Sequence, residues 1–139
     1  MLQGEFRHTV DAKGRFFFPA PLKDEIGESP VICRGIDRNL MVYSRPEWEA
    51  FAAKIRALPF NESKKLTHFF ISKSSEVPID AQGRMVIPQM MREYAGIGKN
   101  VVIVGAVDSV EIWDEDTWRN KMDELSGDDV IAIMERNNF

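Results

Sequence analysis

The chain has 139 residues, 44% hydrophobic and 29% charged, which is typical of one globular domain or of two small halves that share a core. This composition excludes a disordered chain, and no apolar stretch is long enough for a membrane span. The net charge is −4, yet residues 1–100 carry 15 Lys and Arg against 12 Asp and Glu, whereas residues 101–139 carry 3 against 10.

The first predicted elements are a strand and a tight turn. The segment EFRHTV roughly alternates polar and apolar residues, as a half-buried strand does. The tetrapeptide Asp11-Ala12-Lys13-Gly14 suits a type I turn, because an aspartate in first place accepts bonds from backbone N–H groups and a glycine in fourth place adopts positive φ. The segment RFFF predicts a returning strand. We therefore expect a hairpin with Lys13 at its exposed tip and Arg15 just after the turn.

A short helix, two strands and a closing helix follow. Pro19 ends the returning strand and starts the short helix, which Gly27 ends. The segments PVICRG and LMVYS are rich in β-branched and aromatic residues and predict strands. The closing helix begins at Ser44, which has the spacing of a capping box. The apolar residues on one face of this helix are Trp48, Phe51 and Ile55.

A linker and then a second copy of the unit complete the chain. The segment NESKKLTHFFISKSS predicts a linker helix with Leu66, Phe69 and Phe70 facing inward. The segments NVVIVG and SVEIW predict two strands, and a closing helix near Asp114 places Trp118, Met122 and Leu125 on one face. The tail SGDDVIAIMERNNF predicts a break and a short acidic helix.

The repetition has a constant offset of 69 to 71 residues. The clearest matched pairs are Asp11 and Asp80, Gly14 and Gly83, Arg15 and Arg84, Pro19 and Pro88, and Gly27 and Gly96. Asp11, Gly14, Asp80 and Gly83 are explained as turn-forming residues whatever the protein does. We divide the chain into a first repeat at residues 1–57, a linker helix at 58–74, a second repeat at 75–125 and an acidic tail at 126–139.

The arginine that follows each turn has two interpretations. Arg15 and Arg84 can each pair with the aspartate of the same turn, and such an exposed pair contributes only ~0–1 kcal/mol. Alternatively the turn is a rigid platform from which the planar guanidinium binds phosphate or guanine. The candidate DNA-binding residues are then Arg15 with Lys13 and Arg7 at the first turn, and Arg84 with Gln82 at the second. We rank the first turn higher because it is more basic.

No catalytic, metal-binding or cofactor-binding pattern is present. His8 and His68 are the only histidines and Cys33 is the only cysteine, so no zinc-like spacing exists. No nucleophile lies next to a general base in the sequence, and no glycine-rich phosphate loop occurs. A lone cysteine and the absence of a signal-peptide pattern favour a cytoplasmic protein. The missing catalytic and metal-binding patterns lead us to expect neither an enzyme nor a metalloprotein.

Three segments, in this order, resemble the MraZ family of bacterial transcriptional regulators: GEFRHTVDAKGRFFFP, IDAQGRMVIP and VEIWDEDTW. The resemblance covers nearly the whole chain. It implies an α+β, mainly β fold related to AbrB-type DNA-binding proteins, a double-split (swapped-hairpin-like) β-barrel built from two tandem pseudo-repeats with flanking helices. It also implies a ring-shaped homo-oligomer that binds direct repeats in promoter DNA.

The resemblance further implies repression of the division and cell-wall gene cluster, including the regulator's own gene, by a cytoplasmic, nucleoid-associated protein. Two features depart from the family pattern, namely the linker, where SKSSE replaces a Gly-Ala step, and the acidic tail. Two other functions remain open. An antitoxin-like or protein-binding module would use the tail, especially residues 128–135, and an enzyme would rest only on scattered carboxylates.

Overall fold

A computed structural model describes residues 1–139. The strands are β1 (Glu5–Thr9), β2 (Arg15–Phe17), β3 (Val31–Arg34), β4 (Leu40–Tyr43), β5 (Ser75–Glu76), β6 (Arg84–Val86), β7 (Asn100–Gly105) and β8 (Val110–Asp114). The helices are α1 (Ala20–Ile26), α2 (Arg45–Arg56), α3 (Phe60–Leu66), α4 (Gln89–Tyr94), α5 (Glu115–Asp123) and α6 (Gly127–Arg136), with a π-helical turn at Thr67–Ile71 after α3.

The strands form two antiparallel sheets. Six of them form one sheet in the order β1-β7-β8-β4-β3-β5, and β2 pairs with β6 in a two-stranded sheet that we call the ribbon. The prediction of a hairpin from β1 and β2 is therefore correct for the turn but wrong for the strand pairing, because β1 pairs with β7 of the other repeat. The order of elements from β2 to α2 recurs from β6 to α5 at the 69- to 71-residue offset.

The mixed α+β class is confirmed, but two details differ from expectation. The helices hold more residues than the strands, so the fold is not mainly β. The larger sheet ends in β1 on one side and β5 on the other, and its hydrogen-bonded order does not close into a barrel. None of the helices is long and apolar enough to cross a membrane.

The main core lies between the ribbon and the larger sheet. Phe16 and Met85 project from the ribbon into a cluster of buried aliphatic residues that includes Ile32 and Ile103 of the larger sheet. Each such side chain, fully buried, stabilises the fold by roughly 1.5–3 kcal/mol. Because each repeat contributes one ribbon strand, neither repeat can complete this core alone.

A smaller core lies on the opposite side of β3, where Cys33 and Trp48 are buried against Phe51 and Phe70. The predicted inner face of α2 is confirmed, since Ile55 is buried as well. The linker prediction is wrong for Leu66, which is exposed, because the π-helical turn that follows α3 changes which side chains face the body.

For the second closing helix, α5, the predicted inner face is confirmed only at Trp118, near the start of the helix. Trp118 packs against Trp113 with ring centroids 5.4 Å apart, and its indole N–H donates a 3.1 Å hydrogen bond to Glu5. Met122 and Leu125 are exposed, because α5 ends at Asp123 and no other element covers its last turn. The predicted acidic tail helix exists as α6, and none of its residues is buried.

Candidate nucleic-acid interface

Each turn is closed by backbone hydrogen bonds and by its own aspartate. In the first turn (residues 11–14) the N–H of Gly14 donates to the carbonyl of Asp11 at 3.0 Å, and the N–H of Asp11 donates to the carbonyl of Arg15 at 3.0 Å. Oδ1 of Asp11 also accepts from the backbone N–H groups of Lys13 and Arg15, both at 2.9 Å. This is the pattern of a type I turn followed by a one-residue bulge.

The second turn (residues 80–83) repeats this pattern. The N–H of Gly83 donates to the carbonyl of Asp80 at 2.9 Å, and Oδ1 of Asp80 accepts from the N–H groups of Gln82 and Arg84 at 2.9 Å each. The turn glycines, Gly14 and Gly83, have φ of 84° and 85°. Residues other than glycine rarely adopt a backbone conformation with positive φ.

The guanidinium of the arginine after each turn is hydrogen-bonded through one nitrogen only. Nε of Arg15 donates to Oδ2 of Asp11 at 2.7 Å, and Nε of Arg84 donates to Oδ2 of Asp80 at 3.1 Å. Neither arginine makes an intramolecular hydrogen bond through Nη1 or Nη2, which carry four of the five N–H donors of the group. The aspartate thus orients the guanidinium and leaves most of its donors for a ligand. Both interpretations of these arginines are compatible with this geometry.

The register of the ribbon brings the two arginines to one face. Arg15 lies directly opposite Val86, and Phe17 lies directly opposite Arg84. Since directly opposite residues share a face and alternate residues along a strand do too, these four side chains form the outer face of the ribbon. Arg15 and Arg84 are diagonal neighbours, with Cα atoms about 7–8 Å apart.

The turns themselves lie at opposite ends of the ribbon. The ribbon continues past β2 and β6 through hydrogen bonds from the N–H of Ile87 to the carbonyl of Gly14 and from the N–H of Phe18 to the carbonyl of Gly83. Because β2 and β6 are antiparallel, the first turn precedes one end and the second turn precedes the other. The predicted pair of separate tips is therefore one surface, with an arginine near each end.

Sequence reasoning missed two further basic residues, Lys23 on α1 and Arg92 on α4. Nε of Arg92 donates a 3.0 Å hydrogen bond to the carbonyl of Ile87, and a Cβ built on Gly14 would lie 2.9 Å from the Arg92 guanidinium. A Cβ built on Gly83 would lie 3.2 Å from Nζ of Lys23. Each repeat thus places a basic side chain beside the turn of the other. The signal was available, since Lys23 and Arg92 are separated by the same 69 residues as the two turns.

Of the other three predicted DNA contacts, two lie in the turns at the ends of the ribbon and one lies outside it. Lys13 and Gln82 are exposed within their turns. Arg7 lies on β1, where its Nη1 forms a 2.9 Å ion pair with Glu5. It borders a surface depression together with Trp118 of α5, and it forms no ion pair with the turn residues. Among the five predicted DNA contacts, Arg7 is the one that the structure does not bring to the ribbon.

The electrostatics of the turns follow from their hydrogen bonds. The backbone N–H of Arg15, followed by its side chain, holds the pKa of Asp11 below its usual range. The backbone N–H of Arg84 does the same for the pKa of Asp80, with a smaller contribution from the Arg84 side chain. Both carboxylates are therefore ionised at neutral pH, and Lys13 adds an uncompensated positive charge to the first turn.

The remaining reactive side chains form no candidate site. No group of three or more His, Cys, Asp and Glu residues could hold a metal ion. Burial raises the pKa of the Cys33 thiol to about 12, so the thiol is not a nucleophile at neutral pH. His8 is half-buried on β1, and His68 is exposed in the π-helical turn.

Comparison with known proteins gives one consistent result. A family model described as "MraZ protein, putative antitoxin-like" matches residues 1–68 and 70–138. The chain is 41% identical to the transcriptional regulator MraZ of Acetivibrio thermocellus over 134 residues, covering 95% of this chain and 91% of that protein. It is 40% identical to the protein of the same name from Caldicellulosiruptor bescii, covering 97% of each chain.

Proposed function

The chain belongs to the MraZ family of transcriptional regulators, and from this premise we propose that it binds promoter DNA in a sequence-specific manner through the ribbon. The observation that carries the proposal is the pair of arginines on the outer face, each held by an aspartate through Nε alone. An exposed guanidinium with free Nη donors suits the O6 and N7 acceptors of guanine. Two-stranded β-ribbons fit the major groove.

Each subunit offers few contacts, so we propose that several subunits act together. Arg15, Lys13 and Arg92 near the first turn, and Arg84 and Lys23 near the second, form a small basic surface on a chain of net charge −4. Assembly into a ring-shaped homo-oligomer would make later contacts intramolecular and raise the overall affinity by ~10²–10⁴. A ring that contacts one side of the duplex requires direct repeats about 10–10.5 bp apart.

The proposed biological role follows from the family. We propose that the protein represses the division and cell-wall gene cluster, including its own gene, as a cytoplasmic, nucleoid-associated regulator without catalytic activity. The repressor would act by occupying promoter repeats. This role requires no cofactor, because the proposed surface consists only of protein side chains.

The exchange of strands supports a finer description of the fold. Residues 1–57 and 75–125 would be two repeats of one double-split barrel, joined by the linker at 58–74 and followed by the tail at 126–139. The ribbon takes one strand from each repeat, and β1 pairs with β7 across the repeats. Such a barrel would be split rather than closed by hydrogen bonds, with the ribbon packed over the larger sheet on a shared core.

A second candidate function is an antitoxin-like, protein-binding module. The observation that favours it is α6, a helix with two acidic residues in its first turn and four exposed apolar side chains, Val130, Ile131, Ile133 and Met134. Such an amphipathic helix could occupy an apolar groove of a partner. Deletion of residues 127–139 distinguishes the two functions, because the DNA-binding function predicts that the truncated protein still recognises its promoter.

Footprinting of the purified protein on its own upstream DNA tests the proposed function. We expect protected segments that recur about once per helical turn on one side of the duplex. The matched control is Arg15→Ala at the same concentration and salt, which should protect nothing. Protection without sequence preference, or none by the wild-type protein, would contradict a sequence-specific regulator.

A further inference from the structure

The outer face of the ribbon carries two exposed apolar side chains that the turn chemistry does not explain. Phe17 is 58% exposed and Val86 is 44% exposed, whereas the alternate residues Phe16 and Met85 are buried in the core. Phe17 and Val86 occupy equivalent positions in the two repeats, 69 residues apart. Because their position beside the arginines recurs in both repeats, Phe17 and Val86 are part of the outer face of the ribbon rather than scattered exposed residues.

The rest of the chain does not bury these two side chains. Neither belongs to the main core cluster nor packs against it. Phe17 forms no aromatic pair, and no arginine stacks on its ring, since the cation–π contacts of the protein involve only Arg34 and Arg38. The ring of Phe17 and the fork of Arg84 therefore lie side by side as separate contact groups.

Apolar side chains and arginines alternate on the outer face of the ribbon. Each apolar side chain lies opposite an arginine across the ribbon and two residues from the other arginine along its own strand. Cβ atoms of directly opposite residues are about 4.5–5.5 Å apart. Successive base pairs are about 3.4 Å apart along each strand of DNA. An apolar side chain would thus meet a base within one or two steps of the base that its neighbouring arginine contacts.

The major-groove edges of the bases supply a matching pattern. Guanine presents two acceptors that suit an arginine fork, and the C5-methyl group of thymine is the apolar group that direct readout uses in this groove. We propose that Phe17 and Val86 are specificity-determining residues that contact thymine methyl groups beside the guanines bound by Arg84 and Arg15. This inference rests on the proposed function, because it requires the ribbon to enter the major groove.

The test replaces thymine by 2′-deoxyuridine in a synthetic duplex of the footprinted repeat, one position at a time. This change removes only the methyl group and leaves base pairing unchanged. We expect the wild-type protein to bind about fourfold more weakly for each contacted methyl group that is lost. The effect should occur at a few positions only, each within one or two base pairs of a guanine whose replacement also weakens binding.

Variants assign the effect to the two side chains. Phe17→Ala and Val86→Ala should bind the thymine duplex more weakly and should each lose the thymine preference at one set of positions. Phe17→Ser and Val86→Ser leave no methyl group to contact thymine and serve if an alanine variant fails to fold. Ile36→Ala is the matched control, because Ile36 is 77% exposed and lies outside the ribbon, and this variant should keep the full preference.

The outcomes separate this inference from the function on which it rests. Equal binding of the thymine and deoxyuridine duplexes by the wild-type protein overturns the inference and leaves sequence-specific binding intact. A thymine preference that survives in both ribbon variants overturns the assignment to Phe17 and Val86. Absence of any sequence-specific binding overturns the proposed function and this inference with it.

Discussion

Oδ2 of Asp11 accepts a 2.7 Å hydrogen bond from Nε of Arg15, while Oδ1 of the same carboxylate holds two backbone N–H groups of the turn. One side chain thus shapes the turn and orients the arginine that follows it. Asp80 does the same for Arg84. This relationship explains how an acidic residue can belong to the surface that we propose for DNA binding, and it leads to the first prediction.

Asp11→Ala should weaken DNA binding although it removes a negative charge. Without the carboxylate, Arg15 loses its only side-chain partner and the turn loses its cap. We expect a loss of about fivefold, the low end of what one bidentate arginine–guanine contact is worth. Gel-shift titration at fixed salt measures it, with Asp116→Ala on α5 as the charge-matched control. Tighter binding by Asp11→Ala would mean that simple charge repulsion outweighs orientation.

The two turn glycines should differ in their sensitivity to substitution. A Cβ on Gly14 would lie 2.6 Å from the backbone carbonyl of Ile87, whereas a Cβ on Gly83 meets only the flexible end of Lys23 at 3.2 Å. Both variants suffer the strain of positive φ, about 1–2 kcal/mol for an alanine. Gly14→Ala should therefore lower the free energy of unfolding more than Gly83→Ala. Urea denaturation checks this order, and equal losses would show that the close contact relaxes freely.

The turn aspartates should make the free energy of unfolding depend on pH only in the acidic range. Their pKa values are lower in the folded than in the unfolded chain, so their stabilising effect is complete above the unfolded pKa and is lost as the pH falls through the folded pKa. The unfolded pKa of aspartate is about 3.9. In urea denaturation from pH 7 to 2, Asp11→Asn/Asp80→Asn should lose less stability than the wild type below about pH 4. Parallel curves would contradict the assigned shifts.

The single thiol should be unreactive in the folded protein. Cys33 is fully buried on β3, and its pKa of about 12 leaves almost no thiolate at pH 8. A thiol-specific reagent should modify it only as fast as the protein unfolds, and at once in denaturant. Rapid modification under native conditions would show that the small core around Trp48 opens readily.

Lys23 and Arg92 should contact phosphate rather than bases. Each lies beside a turn of the opposite repeat, at the margin of the ribbon. Replacing either by alanine should weaken binding to specific and unrelated duplexes alike and should lower the slope of log K against log salt by about 1 per subunit contact. Lys54→Ala, an exposed lysine on α2, serves as control. Loss confined to the specific duplex would instead make these residues readers of sequence.

The local structure was predictable because its causes are local. The turns follow from Asp and Gly at fixed spacing, the N-cap of α2 follows from Ser44, and the ends of α1 and α4 follow from Pro and Gly. The exchange of strands was not predictable from these signals. A turn flanked by two strands looks the same whether the strands pair with each other or with strands of the other repeat, and only packing of Phe16 and Met85 into one core decides.

The candidate site was likewise predictable from the sequence only where its causes are local. Arg15 and Arg84 were recognisable from the repeat, but their position on one face depends on the β2–β6 register, which links residues 69 apart. Lys23 and Arg92 also lie 69 residues apart, but a single lysine or arginine on a short helix does not by itself indicate that it lies beside a turn of the other repeat. A hairpin of β1 and β2 would bring Arg7 to the first turn, but β1 pairs with β7 and carries Arg7 away from the ribbon.

The central claim is that Arg15 on the outer face of the ribbon binds promoter DNA. Its most direct test is a gel-shift titration of wild type, Arg15→Ala and Arg84→Ala on the repeat-bearing promoter, with Arg119→Ala as control and the mass of the assembly measured for each. We expect Arg15→Ala to abolish specific binding, Arg84→Ala to weaken it less, and neither to change the assembly. Unchanged affinity of Arg15→Ala at the same salt concentration would contradict the account.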